Sequence, residues 1–71
     1  MIDWIPVTDS ERVTAVAYSP DLEQIYVRFP DEVEWCYEEC PLHIWEEFMA
    51  PGTSKGRFIH DQLNHHTHHP C

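Results

Sequence analysis

The sequence has little positive charge. Four Lys and Arg stand against thirteen Asp and Glu in 71 residues, so the formal net charge is −9 at pH 7. Nucleic-acid binders usually carry a basic stripe, because neutralising phosphates supplies most of their nonspecific affinity. The sequence has no such stripe, so its charge disfavours duplex DNA or long RNA, although an RNA partner stays open as an alternative.

Long apolar runs are also missing. Nothing approaches the ~20 apolar residues of a membrane span, and the start "MIDWIPV" has neither the basic leader nor the apolar run of a signal peptide. We therefore expect a cytoplasmic protein with no membrane partner. Cysteines are few and odd in number, which argues against a disulfide scaffold and predicts free thiols.

The chain is short enough for only one domain. A domain of this size buries about 60% of the surface that its unfolded chain exposes, so its core is thin. We therefore expect it to form a homo-oligomer, either a dimer or a tetramer, that covers more apolar surface.

Three segments have the alternation of β-strands. They are "RVTAVAYS", "EQIYVRF" and "EVEWCYEE", and a Pro-Asp pair separates each from the next. Two helical patterns follow. "PLHIWEEFM" begins at Pro41, and Thr53 or Ser54 can cap a second helix whose packing stripe includes Phe58, Ile59, Gln62 and Leu63. The pattern predicts an α+β fold: a three-stranded antiparallel meander followed by two α-helices packed on one face.

The segment "GTSKGRFIH" at residues 52–60 holds half of the basic residues. A helix N-terminus presents free N–H groups and partial positive charge to an anion. We predict that Lys55 and Arg57 bind phosphate, that Thr53 and Ser54 donate hydrogen bonds, and that Gly56 gives the ligand clearance. His60 completes the predicted site. The alternative is a plain helix cap in which Arg57 pairs with Asp61 one turn later.

Aromatic residues on the predicted sheet offer a surface for a nucleobase. Trp35 and Tyr37 share a strand face and could stack a base, or they could instead be core beneath the helices. Tyr26 and Arg28 point to the other face, where we expect them to be exposed to a ligand or to a neighbouring subunit.

The tail "HHTHHPC" shows no apolar periodicity, and we expect it to add nothing to the core. Its composition suggests a metal, because zinc binds four N or S ligands. The spacing lacks a tight zinc knuckle, so we assign no metal and no cofactor, and a metal-dependent interaction module stays a further alternative. The weak candidate ligands are Cys36, Cys40, His65, His66, His68, His69 and Cys71.

Catalysis has little support in the sequence. An enzyme needs paired reactive groups in a shaped, dry pocket, and 71 residues leave little room for one. Cys36 with His43 is the best available pair, and a lone thiol in a small core is usually a small hydrophobe. We therefore expect a noncatalytic protein.

The order of these segments resembles the KTSC domain. The resemblance runs from residue 10 to 64, between an N-terminal arm (1–9) and a His-rich tail (65–71). It rests on the hairpin "VTAVAYSPDLEQIYVRF", the aromatic pair "WCY", Pro41, and "SKGRFI", which matches the family's Ser-x-Gly-x-aromatic segment. Trp35 stands where the family usually has Tyr, so no role of that hydroxyl carries over.

The resemblance implies a module that occurs alone in bacterial and phage proteins and at the C-terminus of some lysyl-tRNA synthetases. RNA binding is a common suggestion for this family. By analogy with small phage-encoded domains that sequester immune signals, we expect a binder of a small phosphate-bearing ligand, such as a cyclic nucleotide of antiphage immunity. An RNA- or protein-binding adaptor is the alternative.

Overall fold

The three predicted strands form the centre of an antiparallel sheet. In the computed structural model, which describes residues 2–71, β2 is Ala15–Ser19, β3 is Gln24–Arg28 and β4 is Glu34–Tyr37. Their pairing follows the predicted meander, with Val16 opposite Val27 and Val27 opposite Trp35. Sequence alternation therefore located both the strands and their order.

Two short strands extend the sheet at its edges, so the prediction of three strands is corrected to five. β1 is Ile5–Pro6 and pairs with β2, and β5 is His68–Pro70 and pairs with β4. The sheet order is β1-β2-β3-β4-β5. Each edge strand contains a proline and spans two or three residues, which is too short to show an alternating pattern.

A disulfide joins Cys36 of β4 to Cys71, with 5.5 Å between the Cα atoms. The expectation of three free thiols was wrong for this pair, because the pairing of β5 with β4 brings residues 35 positions apart in sequence into contact. Cys40 is free and fully buried.

Two α-helices follow the meander, as predicted. α1 is Leu42–Phe48, with Pro41 as its N-cap residue, and α2 is Lys55–Asp61. The Ser54 hydroxyl oxygen caps α2 by accepting a hydrogen bond from the Arg57 backbone N–H at 3.4 Å. A 3₁₀ turn, Leu63–His65, then leads into β5.

The main core lies between the sheet and the helices. Val16, Val27 and Tyr37 from the sheet meet Phe48 of α1 and Ile59 of α2. Complete burial of such side chains contributes roughly 1.5–3 kcal/mol each. Both helices therefore pack on one face of the sheet, as predicted, but Gln62, which was predicted to belong to the packing stripe, is exposed and lies just after α2.

The opposite face of the sheet carries a second, smaller cluster. Ala17, Tyr26 and Cys36 are buried there, and Trp4 from the N-terminal segment packs against them. Tyr26 is only 7% exposed, so the prediction that it lies open to a ligand was wrong. The reason is Trp4, whose ring meets the Tyr26 ring edge-on at 6.4 Å. Over residues 2–71, no helix has the length and apolar character needed to cross a membrane.

Candidate functional site

A polar groove lies where α2 begins. It has a volume of about 870 Å³ and is formed by residues 9–12, residues 52–57, His60 and Asp61. Three of the four basic residues of the chain line it, namely Arg12, Lys55 and Arg57. Asp9, Glu11 and Asp61 line it too, so the groove contains both signs of charge. Within a chain of net charge −9, it is a local concentration of cations.

Lys55 is the most unusual residue of the polar groove. The residue is only 8% exposed, and its ammonium group makes no hydrogen bond or ion pair with any other part of the chain between residues 2 and 71. Its Nζ lies 5.4 Å from the centre of the Phe48 ring. No fully covered side-chain nitrogen in the described chain lacks a partner, so the Lys55 ammonium nitrogen keeps some exposed surface. An anion in the groove would give this ammonium a charged hydrogen-bond partner.

Arg57 points away from Lys55, as positions two apart on a helix must. Its side chain is 83% exposed, and its Nε lies 3.5 Å from the Asp61 carboxylate. The helix-cap alternative thus describes the pairing of Arg57 correctly. The pKa of Asp61 is lowered, first by the hydrogen bond with His60 at 3.1 Å and further by Arg57.

Arg12 is a groove residue that sequence reasoning missed. It lies 43 positions before Lys55, on the loop ahead of β2, and its side chain makes no ion pair within the described part of the chain. A Cβ on Gly56 would lie 2.8 Å from the Cδ of Arg12. The space beside Gly56, which was predicted to be left for a ligand, instead contains the Arg12 side chain. The available signal was a glycine in the first turn of a helix, which often marks a close approach by another segment.

The two hydroxyl residues have different bonding. Thr53 donates its hydroxyl hydrogen to the Glu47 carbonyl oxygen at 3.2 Å, so this donor is already used. Ser54 accepts from the Arg57 N–H, which leaves its own hydroxyl hydrogen free to donate into the groove.

A second cavity, which we call the aromatic cavity, adjoins the polar groove. Its volume is about 320 Å³, and its aromatic walls are Phe29, Trp35, Tyr37 and His68. Tyr37 belongs to the core, as one of the two alternatives for it predicted, whereas Trp35 is only half-buried. Trp35 and Tyr37 thus lie on the same side of the sheet as α2.

Tyr26 and Arg28 lie away from both cavities, on the opposite face of the sheet. Arg28 donates to the Glu34 carboxylate at 2.7 Å and stacks over Trp4 at 4.4 Å. Neither residue is brought to the polar groove with Lys55.

The candidate metal ligands are dispersed. Cys36 and Cys71 are bonded to each other, and between residues 2 and 71 no group of three or more His, Cys, Asp or Glu is arranged to hold a metal ion. His69 faces the Glu38 carboxylate at 3.3 Å. His66 lies 3.7 Å from the Cys40 sulfur and 3.1 Å from the Glu38 carbonyl oxygen.

The pairing of Cys36 with His43 does not occur, because Cys36 is in the disulfide. Cys40 next to His66 is the only thiol–imidazole contact in the described chain. Burial raises the pKa of the Cys40 thiol to about 11, so the thiol stays protonated at neutral pH and is a poor nucleophile. This contact supplies no catalytic dyad.

Comparison with known proteins identifies the family. The KTSC domain family model matches residues 9–66, which is most of the chain, and the chain therefore belongs to the KTSC domain family. No curated protein matches it. The fold is similar to the crystal structure of a KTSC domain protein from Yersinia pestis, with a TM-score of 0.88 and 24% identity over 100% of this chain and 99% of the other. The family resemblance that the sequence predicted over residues 10–64 is confirmed.

Proposed function

We propose that this protein is a noncatalytic binder of a small phosphate-bearing ligand, and that the ligand is held in the polar groove. The observation that carries the proposal is Lys55, a residue that is only 8% exposed, whose ammonium group has no hydrogen-bond or ion-pair partner in the described chain and lines a groove that also contains Arg12. A phosphate supplies several strong acceptor oxygens for such cations. The unused hydroxyl hydrogen of Ser54 adds a neutral donor.

The charge distribution favours a small ligand over a polymer. Thirteen acidic residues repel a long polyanion over most of the surface, whereas a nucleotide needs only the groove. Arg28, the one basic residue outside the groove, is already paired with Glu34. The described chain therefore lacks a continuous basic track for RNA. For this reason an RNA-binding adaptor is the alternative function and not the proposed one.

We extend the proposal to sequestration. A protein that binds a signalling nucleotide without turning it over lowers the free concentration of that nucleotide in proportion to its own abundance. This role fits a phage-encoded protein that acts in the host-cell cytoplasm against a cyclic nucleotide of antiphage immunity. Ligand released by denaturation should have an unchanged mass, whereas a product of altered mass would reveal an enzyme.

Oligomerisation and location are parts of the proposal with their own tests. A homodimer or homotetramer would appear in light scattering coupled to gel filtration. The Cys36–Cys71 disulfide argues against the cytoplasm, since disulfides rarely persist in that reducing compartment. Trapping of free thiols in intact cells decides the question, because a cytoplasmic protein should present Cys36 and Cys71 as thiols.

The direct test is a thermal-shift screen against cyclic and linear nucleotides, with Lys55→Met beside the parent. A ligand at ~100 times its Kd adds about 2.7 kcal/mol, which is several degrees for a domain of this size. We expect Lys55→Met to fold about as stably as the parent, because methionine keeps a long apolar side chain at this largely buried position, and to lose the shift.

The matched control is Arg28→Met, which makes the same charge change on the opposite face of the sheet. It should keep the ligand-induced shift. If Lys55→Met kept the shift, or if no nucleotide shifted the parent, the polar groove would not be a phosphate site.

A further inference from the structure

The aromatic cavity and the polar groove are neighbours. Arg12, Gly56 and His60 line both of them and form their border, so a ligand that extends past the Arg12 side chain would reach both. One end of this joint site has unpaired cations, and the other end has aromatic rings. A nucleotide has the same division, with phosphate at one end and a planar base at the other.

We infer that the aromatic cavity is the base subsite of a mononucleotide site, with the base against Trp35 and His68 and the phosphate across Arg12 at Lys55. This inference rests on the proposed function and specifies its ligand class. It predicts that the ligand has one base next to its phosphate and that a single chain forms the whole binding site.

Two of the aromatic walls have surface available for stacking. Trp35 is half-buried and His68 is exposed, whereas Tyr37 is only 3% exposed and serves as the floor. The His68 ring lies 5.5 Å from the Trp35 ring and 5.2 Å from the Tyr37 ring, between centroids. Aromatic rings of this kind can stack with any nucleobase, because every base has a π-face.

The size and polarity of the aromatic cavity suit one base. About 320 Å³ is at the small end of the ~300–1,000 Å³ range of ligand clefts. Asn64 is exposed at the edge of the cavity, where its amide offers both a donor and an acceptor to the edge of a base. Ile59 gives the cavity an apolar floor beside Tyr37.

This arrangement gives a role to part of the His-rich tail. His68 belongs to β5 and lies directly opposite Tyr37 in the pairing of β5 with β4. The sheet, and not a metal, places this histidine at the cavity. The other tail histidines do not line the cavity.

The test is calorimetric titration of the oxidised protein, residues 1–71, with three sets of probes: the four nucleoside 5′-monophosphates, their nucleosides, and ribose 5-phosphate. We expect at least one monophosphate to bind about tenfold or more tighter than ribose 5-phosphate, which lacks the base. Trp35→Leu and His68→Ala should each reduce that difference by at least about fivefold, since each removes a stacking partner.

The control variant is His43→Ala, which also removes an exposed histidine but at a position outside both cavities. Its affinities should equal those of the parent. Thermal melting of all variants identifies any loss of fold, and His68→Ala keeps the test valid if Trp35→Leu unfolds.

Each failure has its own signature. If the best monophosphate and ribose 5-phosphate bind equally, the base subsite is wrong while the phosphate site stands. If a nucleoside binds as tightly as its monophosphate, the base subsite stands while the phosphate site is wrong. If no probe binds, both the proposed function and this inference are overturned.

Discussion

Lys55 and Gly56 are consecutive residues of α2, and both shape the polar groove. Lys55 lines it with a cation, and Gly56 lets the Arg12 side chain approach the helix. Glycine in a helix costs about 0.5–1 kcal/mol relative to alanine. Gly56 has no positive φ that would require glycine. Its neighbour Arg12 gives the physical reason for a glycine at this position, because a Cβ there would lie only 2.8 Å from the Arg12 Cδ. The helix therefore gives up some stability to bring a cation from a remote loop beside Lys55.

The variant Gly56→Ala distinguishes the two interpretations of this segment, a plain helix cap and a phosphate-binding site. The clash is with an exposed, flexible side chain, so Arg12 should move aside at little cost. We expect the melting temperature to stay constant or to rise by a few degrees, as alanine favours the helix. Phosphate-ligand affinity should fall severalfold as Arg12 leaves its position, and titration of the folded variant would measure this. Unchanged affinity would exclude Arg12 from the site.

The buried Cys40 thiol predicts the alkaline limit of stability. Its pKa is raised from 9.0 to about 11 by burial, so between these pH values only the unfolded chain releases the proton. Stability is therefore fully present below pH 9 and is lost as pH rises towards 11, by a free energy on the order of 2 kcal/mol. Burial also raises the pKa values of Tyr18 and Tyr37, which act in the same direction.

Melting curves from pH 7 to 11 would measure this loss, with Cys40→Ala as the comparison. The variant should be less stable at pH 7 but should lose less stability between pH 9 and 11. Mass spectrometry after each melt confirms that the Cys36–Cys71 bond has not exchanged with Cys40. Parallel pH profiles of parent and variant would contradict the assignment to Cys40.

At the scale of elements, the sequence predicts the strands and helices that have a periodic apolar pattern, and it misses the strands that are too short to show one. β2 to β4 each alternate over four or five residues, and α1 and α2 each present an apolar stripe, so all five were predictable. β1 and β5 have two and three residues and are defined only by their partners. The polar groove was half predictable: Lys55 and Arg57 are local to one segment, whereas Arg12 reaches the groove through tertiary packing.

The disulfide makes β5 dependent on redox state. Cys36–Cys71 closes a loop of 35 positions, for which the chain-entropy estimate is about 4 kcal/mol of stabilisation. We expect a dithiol reductant to lower the melting temperature markedly while β2 to β4 persist. Amide hydrogen exchange should then show loss of protection at Cys71 and Glu38, whose N–H groups bond the Glu34 and Thr67 carbonyl oxygens.

The control for the reductant is Cys36→Ala/Cys71→Ala, which should melt like the reduced parent and should not respond to reductant. Cys40 is the only other cysteine, so any response of the double variant would have another cause. Equal melting temperatures of the oxidised and reduced parent would show that pairing alone holds β5.

At the scale of the whole molecule, an acidic surface surrounds a groove that holds three of the four basic residues together with three carboxylates. The extents are 27 × 23 × 21 Å, so every carboxylate lies within about one molecular diameter of the polar groove. The Debye length is about 30 Å at 0.01 M salt and about 8 Å at 0.15 M. At low salt an incoming phosphate is thus repelled by the entire net charge of −9, whereas at higher salt it interacts mainly with the groove.

Salt should therefore tighten the binding of a small phosphate ligand. Between 10 and 150 mM KCl, we expect the affinity for a mononucleotide to rise severalfold, because screening weakens distant repulsion more than contacts a few ångströms long. Single-stranded RNA titrated under the same conditions is the comparison, since affinity for a polyanion through basic contacts falls steeply with salt. A fall in mononucleotide affinity across this range would mean that acidic repulsion does not govern access to the groove. Tight binding of RNA that weakens steeply with salt would instead favour an RNA-binding adaptor.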